Sequence, residues 1–192
     1  MGPHPCQNSH GLAWPACLGL AACLLLLPGC PPYADVAASS WSRSETGDVS
    51  GGRSREIRRL PPDEREAGRV FAAVNLERMR HGLTMLTRSR DLDAVAYRHA
   101  LDLVAMGRLS HSSSDGRQLE HRLAHLNWVW ASENLARNKG FENPTAEAVS
   151  GWLMSPRHRV NMLRPDVSQT GIAVVRDPNS RFTYIAQMFM IP

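Results

Sequence analysis

His158 stands between Arg157 and Arg159, directly after Ser155-Pro156, in a chain with eight histidines among 192 residues. An imidazole titrates near neutral pH and serves as metal ligand, proton carrier or hydrogen-bond partner. Two readings follow from the sequence. His158 is one half of a paired-histidine site whose other half lies upstream, or it belongs to a solvated basic turn. Other chemistries lack their marks. There is no HExxH helix, no Gly-rich phosphate loop, no CxxC pair after residue 30 and no G-x-S-x-G elbow.

The elements that must position such a site are legible. "LPPDEREAGRVFAAVNLERMRHG" opens on prolines, carries acids in its first turn and ends at Gly82, as a helix does. Val70, Phe71, Val74, Leu76 and Met79 are its expected apolar side. "RDLDAVAYRHALDLVAMG" repeats Leu92, Val95, Ala96, His99, Leu103 and Met106 at helical spacing and stops at Gly107. His99 falls within that stripe and is expected to be a hydrogen-bonded core residue. "SHSSSDG" is a turn, "RQLEHRLAHLN" a shorter helix, and "WVWASENLARN" strand-like near its start. In "NPTAEAVSGWLMS", Asn143 is the N-cap and Pro144 the first helical residue, with Ala148, Val149, Trp152 and Leu153 apolar. Pro156 disfavours helical geometry in Ser155, so that helix ends there and the chain turns toward His158. "TGIAVVRD" and "RFTYIAQMFMI", joined by "DPNS", form a hairpin. Helices first, a terminal hairpin and no βαβ alternation define an α+β domain.

The N-terminal third is organised differently. Its first thirty residues hold no Asp, Glu, Lys or Arg but all four cysteines, Cys6, Cys17, Cys23 and Cys30. The apolar run Ala16 to Leu27 suits a signal segment and falls short of the roughly 20 residues that span a bilayer. It ends in "LPGC", which resembles the lipobox of bacterial lipoproteins. The expectation is a signal peptide over 1–29 and a diacylglycerol on Cys30. A flexible Pro-, Gly- and Ser-rich tether then extends to residue 62 and a folded domain covers 63–192. Proline after Cys30, in place of aspartate, points to the outer membrane. The folded domain then has no disulfide, so it rests on its apolar core. A net charge of +4, scattered along the chain, excludes a nucleic-acid footprint.

The ordered set "VNLERMRHGL", "LDAVAYRHALDLVAMGRLSH", "SENLA", "AVSGWLMSPRHRVNML" and "TGIAVV…YIAQMF" resembles the CAP superfamily. These are the cysteine-rich secretory, antigen 5 and pathogenesis-related 1 proteins, or SCP-like domains, and the match is to a short bacterial branch without disulfides. It covers roughly Asp63 to Ile191. The resemblance implies an α-β-α sandwich with a central antiparallel sheet and a cleft holding two histidines and two acids. By position these are His111, Glu133 and His158, with the second acid falling at or near Ser155. One carboxylate is therefore missing.

Two imidazoles and a carboxylate are a partial ligand set for Zn²⁺ or another divalent metal. The resemblance makes His111 and His158 the metal contacts, and Glu133 a ligand or the group that orients one of the rings. Three outcomes stay open: a binding module with a metal at the cleft, a hydrogen-bonded network that only braces loops, and a metal-assisted hydrolase with Glu133 as general base. The missing acid weighs against the enzyme. Asn134 and Asn161 are expected to support the turns that carry Glu133 and His158. Trp128 and Trp130 could line a groove, whereas Trp152 belongs to the core. The expected protein is exported, held at the envelope through Cys30, and binds a lipid, glycan or protein.

Overall fold

The computed structural model describes residues 49–192, so the signal segment, Cys30 and most of the tether lie outside the described residues. The first element is α1, Val49–Ile57, within the stretch expected to be a tether. Its last residue, Ile57, is buried against α3, and Tyr97 Oη donates to the Leu60 carbonyl at 2.6 Å. The domain thus recruits chain upstream of Asp63.

Helix α2, Glu64–Arg80, is capped by Asp63, whose side chain accepts from the Glu66 amide. Its buried stripe is Ala67, Val70, Val74 and Arg78. Leu76 and Met79, expected inside, are 44% and 51% exposed. An arginine occupies the core position because it ties together the loop after this helix and the segment around residues 162–167. Arg78 is fully buried and donates to the carbonyls of Thr84, Met162, Arg164 and Val167 at 2.8–3.1 Å.

Strand β1 (Thr87–Arg88) precedes α3 (Arg90–Met106), which begins at Ser89 and stops at Gly107, whose φ of 66° closes the helix in the left-handed region. The expected helix after the Ser-rich turn shrinks to α4, Leu119–Arg122. Strand β2, Trp130–Lys139, is longer than expected. Helix α5, Pro144–Met154, has Asn143 as its cap, accepting from the Ala146 amide. Ser155 ends α5 and starts a further helix, α6, Pro156–Leu163. The expected turn is therefore a helix-to-helix junction. Proline is well tolerated at a first helical position, where its missing N–H would have had no partner. Strands β3 (Gln169–Arg176) and β4 (Phe182–Ile191) form the expected hairpin.

The sheet order is β1-β3-β4-β2. β4 runs antiparallel to both β2 and β3, while the two-residue β1 pairs parallel with β3 and makes the sheet mixed. Alternation along the strands splits the core in two. Ala173, Val175, Tyr184, Ala186 and Met188 pack with α1 and α3. Ile172, Val174, Ile185 and Phe189 pack with α2, α5 and α6. This is an α+β fold with helical layers on both faces of the sheet. Gly171 sets the α3–β3 spacing: a Cβ there would stand 2.1 Å from the Leu92 carbonyl carbon.

Candidate functional site

The site is built on the Trp130 half of β2. The strand places Glu133 with its side chain toward α3 and the loop after it, where it is 5% exposed. A carboxylate this deep needs partners for both oxygens. Oε1 accepts from His111 Nδ1 at 2.8 Å, and Oε2 accepts from an Arg122 Nη at 2.6 Å. Arg122, on the single turn of α4, is itself 8% exposed and also donates to the His111 carbonyl at 3.0 Å. One guanidinium therefore holds both the carboxylate and the loop that carries the histidine.

Nothing in the sequence marked Arg122, because its partner is met only when α4 folds back on β2. His99 is the expected buried histidine, but it also adjoins the site. Its Nε2 lies 3.0 Å from the Ser110 carbonyl, an acceptor, so that nitrogen carries the proton. The same nitrogen is 3.8 Å from Glu133 Oε2. Burial foremost pushes the His99 imidazole below its ordinary value, against the pull of Glu133, so the ring stays neutral.

His158 enters from the other side, in the first turn of α6. Asn134 Nδ2 donates to the His158 carbonyl at 3.0 Å, and Asn161 Nδ2 donates to Asn134 Oδ1 at 2.9 Å. The two asparagines thus tie α6 to β2. His158 is partly buried and close enough to His111 to feel its charge. Burial first, and then the charge on His111, hold the His158 imidazole below its ordinary value. Ser155 is the junction residue between α5 and α6, and its side chain makes no capping bond to α6. Among the described residues no group of three or more His, Cys, Asp or Glu has metal-holding geometry.

His111 shifts the other way. The hydrogen bond to Glu133 leads, burial opposes it, and the net effect raises the imidazole above its ordinary 6.5. The signs are opposite in their consequences. His111 contributes stability that is present below about pH 6.5 and fades as pH rises through its raised value. His99 and His158 contribute stability that is present above about pH 6.5 and fades as pH falls through their lowered values. In a proton NMR titration, His111 is expected to deprotonate at the highest pH of the three. Glu133→Gln is expected to bring it down, and His111→Gln to let His158 rise. Coincident titration of His111 and His158 would contradict this geometry.

A sheet covered by helices on both faces, with a histidine hydrogen-bonded to a buried strand carboxylate, defines an SCP-type domain. The chain belongs to the CAP family, the cysteine-rich secretory protein family, whose sequence model it matches over residues 71–189. It is 33% identical over 109 residues to the uncharacterized membrane protein YlbC of Bacillus subtilis (strain 168), covering 56% of this chain and 31% of that one. The chain thus spans about a third of the length of this relative. An extracellular protein containing a SCP domain from Bacillus anthracis str. Ames superposes with a TM-score of 0.59 at 27% identity, over 67% of this chain and 41% of that one. An outer surface protein from Borrelia burgdorferi superposes with a TM-score of 0.61 at 18% identity, over 68% of this chain and 97% of that one, a likeness of fold.

Proposed function

We propose that this chain is an exported envelope protein, lipid-anchored at Cys30, whose CAP domain binds a ligand at a divalent-metal site formed by His111 and His158. The reading rests on one observation. Both oxygens of Glu133 are occupied, one by His111 and one by Arg122. The carboxylate that a hydrolase would use as general base is therefore already committed to an ion pair and a histidine. Orienting the ring is the role left to it.

The residues fit a metal. His111 donates its Nδ1–H to Glu133, so in the neutral ring Nε2 carries a free lone pair, and the side chain is 60% exposed. Carboxylate–histidine–metal arrangements work in this way. His158 is the second nitrogen donor. A metal held by two imidazoles keeps positions open, and there it would supply Lewis acidity to a donor group of the bound ligand. Location at the envelope draws support from the lipobox-like "LPGC" and from two relatives described as a membrane protein and an extracellular protein. The ligand class, whether lipid, glycan or protein, follows from the envelope setting.

Calorimetry with Zn²⁺ on the full chain in detergent at pH 7 tests the reading. Saturable one-to-one binding is expected, lost in His111→Ala and in His158→Ala. Glu133→Gln is expected to weaken it roughly 10- to 100-fold, the usual effect of losing a group that orients a metal ligand. Binding that survives removal of both histidines would sink the site. Turnover of peptide or glycan substrates that Glu133→Gln abolishes, with the fold intact, would favour the hydrolase instead.

A further inference from the structure

Helices α2, α5 and α6 share one face of the sheet, and their outward side carries apolar residues where water favours polar ones. Met154, at the end of α5, is 77% exposed, and Val160, on α6, is 60% exposed. Leu76 and Met79 on α2 and Met85 in the loop after it are exposed as well. Helix α3, on the opposite face of the sheet, exposes no large apolar residue. A single apolar side chain at a surface is ordinary, so what counts here is their number on one layer and the charges beside them.

On α6 the charges are arranged around the apolar residues. Asn161 is bonded to β2 and Met162 is buried, so at 3.6 residues per turn Val160 and Leu163 fall on the outer side, flanked by Arg157 and Arg159. Val160 and Leu163 share the wall of a shallow depression with Arg159, Arg164 and Pro165. Arg164 is engaged, by Asp166 at 2.7 Å and by the Trp130 ring at 4.4 Å. Arg157 and Arg159 are exposed, and among the described residues neither has an ion-pair partner. The helix itself holds no Asp or Glu. Helix α2 repeats the arrangement, with Ala72, Leu76 and Met79 opposite its buried stripe and Arg65 and Arg69 alongside them.

The charges select the partner. A second copy of the chain meeting this face about a two-fold axis would set Arg157 and Arg159 against their own counterparts, with no acid on α6 to answer them. An anionic bilayer offers negative charge over its whole surface, and an apolar interior that takes up Met154 and Val160 without a matched shape. Arginines suit that boundary, since the stem lies along apolar surface while the guanidinium stays among the headgroups.

We propose that the outer face of α6, with Met154, docks the domain on an anionic phospholipid surface. Arg157 and Arg159 meet the headgroups, and Met154 and Val160 enter the boundary with the acyl chains. The docking uses neither Cys30 nor the imidazoles of His111 and His158, so it and the function proposed above can fail separately.

Hydroxyl-radical footprinting of the full chain on vesicles tests the docking. Oxidation of Met154 and Val160 is followed by mass spectrometry on phosphatidylcholine vesicles with and without phosphatidylglycerol. Both residues are expected to react more slowly only where phosphatidylglycerol is present, and that protection is expected to fade as salt is raised. Leu109, exposed beyond the end of α3, is expected to react equally on both. Arg157→Gln combined with Arg159→Gln is expected to lower the docked-to-free ratio roughly 30-fold, the joint worth of two basic residues near such a surface. Both arginines are exposed, so the urea midpoint of this variant is expected to hold. Equal oxidation of Met154 on the two kinds of vesicle, or protection that survives in the double variant, overturns the proposal. So does protection that needs no phosphatidylglycerol and grows with protein concentration, which would assign the face to a second copy.

Discussion

Replacing Arg78 by alanine is expected to lower the unfolding free energy by about 3–5 kcal/mol, since it leaves several buried acceptors without donors, at about 1–3 kcal/mol each, together with a cavity. The side chain is fully buried, and no carboxylate among the described residues pairs with it. Four main-chain carbonyls satisfy it instead, from the loop after α2, the end of α6 and the segment leading to β3. Removing the guanidinium leaves these acceptors without their donors in a place water does not reach, and it leaves a void under α2. Burial pushes the guanidinium below its ordinary value, yet an arginine stays charged in proteins. Lysine is expected to rescue little, since one ammonium cannot reproduce the flat fork that reaches all four carbonyls. Urea titration monitored by tryptophan fluorescence measures the loss. A change below about 1 kcal/mol, the range of surface substitutions, would mean the carbonyls find other donors.

The consequence is positional as well as energetic. Two of the four carbonyls, Met162 and Arg164, belong to the end of α6, the helix that carries His158. Arg78 therefore fixes one end of that helix, and the Asn134–Asn161 pair fixes its flank. Arg78→Ala should also weaken Zn²⁺ binding in whatever fraction of the chain stays folded.

The sequence carried the parts of this design that are local. Gly107, Asn143 and the β3–β4 turn announce their roles because each acts on its own backbone within a few residues. The two histidines and Glu133 were placed by family resemblance, and spacing alone would not have joined them, since α4, β2 and α5 intervene. What could not be read depends on contacts distant in sequence. Arg78 occupies a core position in a helix whose apolar pattern predicted Leu76 and Met79 inside. Arg122 looks like a surface residue of a short helix until β2 supplies its anion. Ser155-Pro156 obeys the rule that a residue before proline leaves the helix, yet the same proline opens the next one. The rule is silent on which side matters more, and here the second side places His158 in a helix.

Removal of the Glu133 carboxylate is the second change expected to be large. Glu133→Ala leaves Arg122 in place, its side chain 6% exposed, with no anion beside it. The expected cost is again about 3–5 kcal/mol, most of it the penalty of an uncompensated buried charge. Glu133→Gln keeps the shape and one acceptor oxygen, so about 1–3 kcal/mol is expected for the lost charge-assisted bonds. Arg122→Met with Glu133→Gln separates stability from function. If the ion pair matters chiefly as a mutual neutraliser, the double variant should regain much of what each single variant loses, giving a coupling of about 0.5–3 kcal/mol in a double-mutant cycle. Metal affinity should not be regained with it, because His111 still lacks the carboxylate that sets its tautomer. Stability and Zn²⁺ affinity that recover together would instead make Arg122 and Glu133 a brace for the loop, with no part in presenting the histidine.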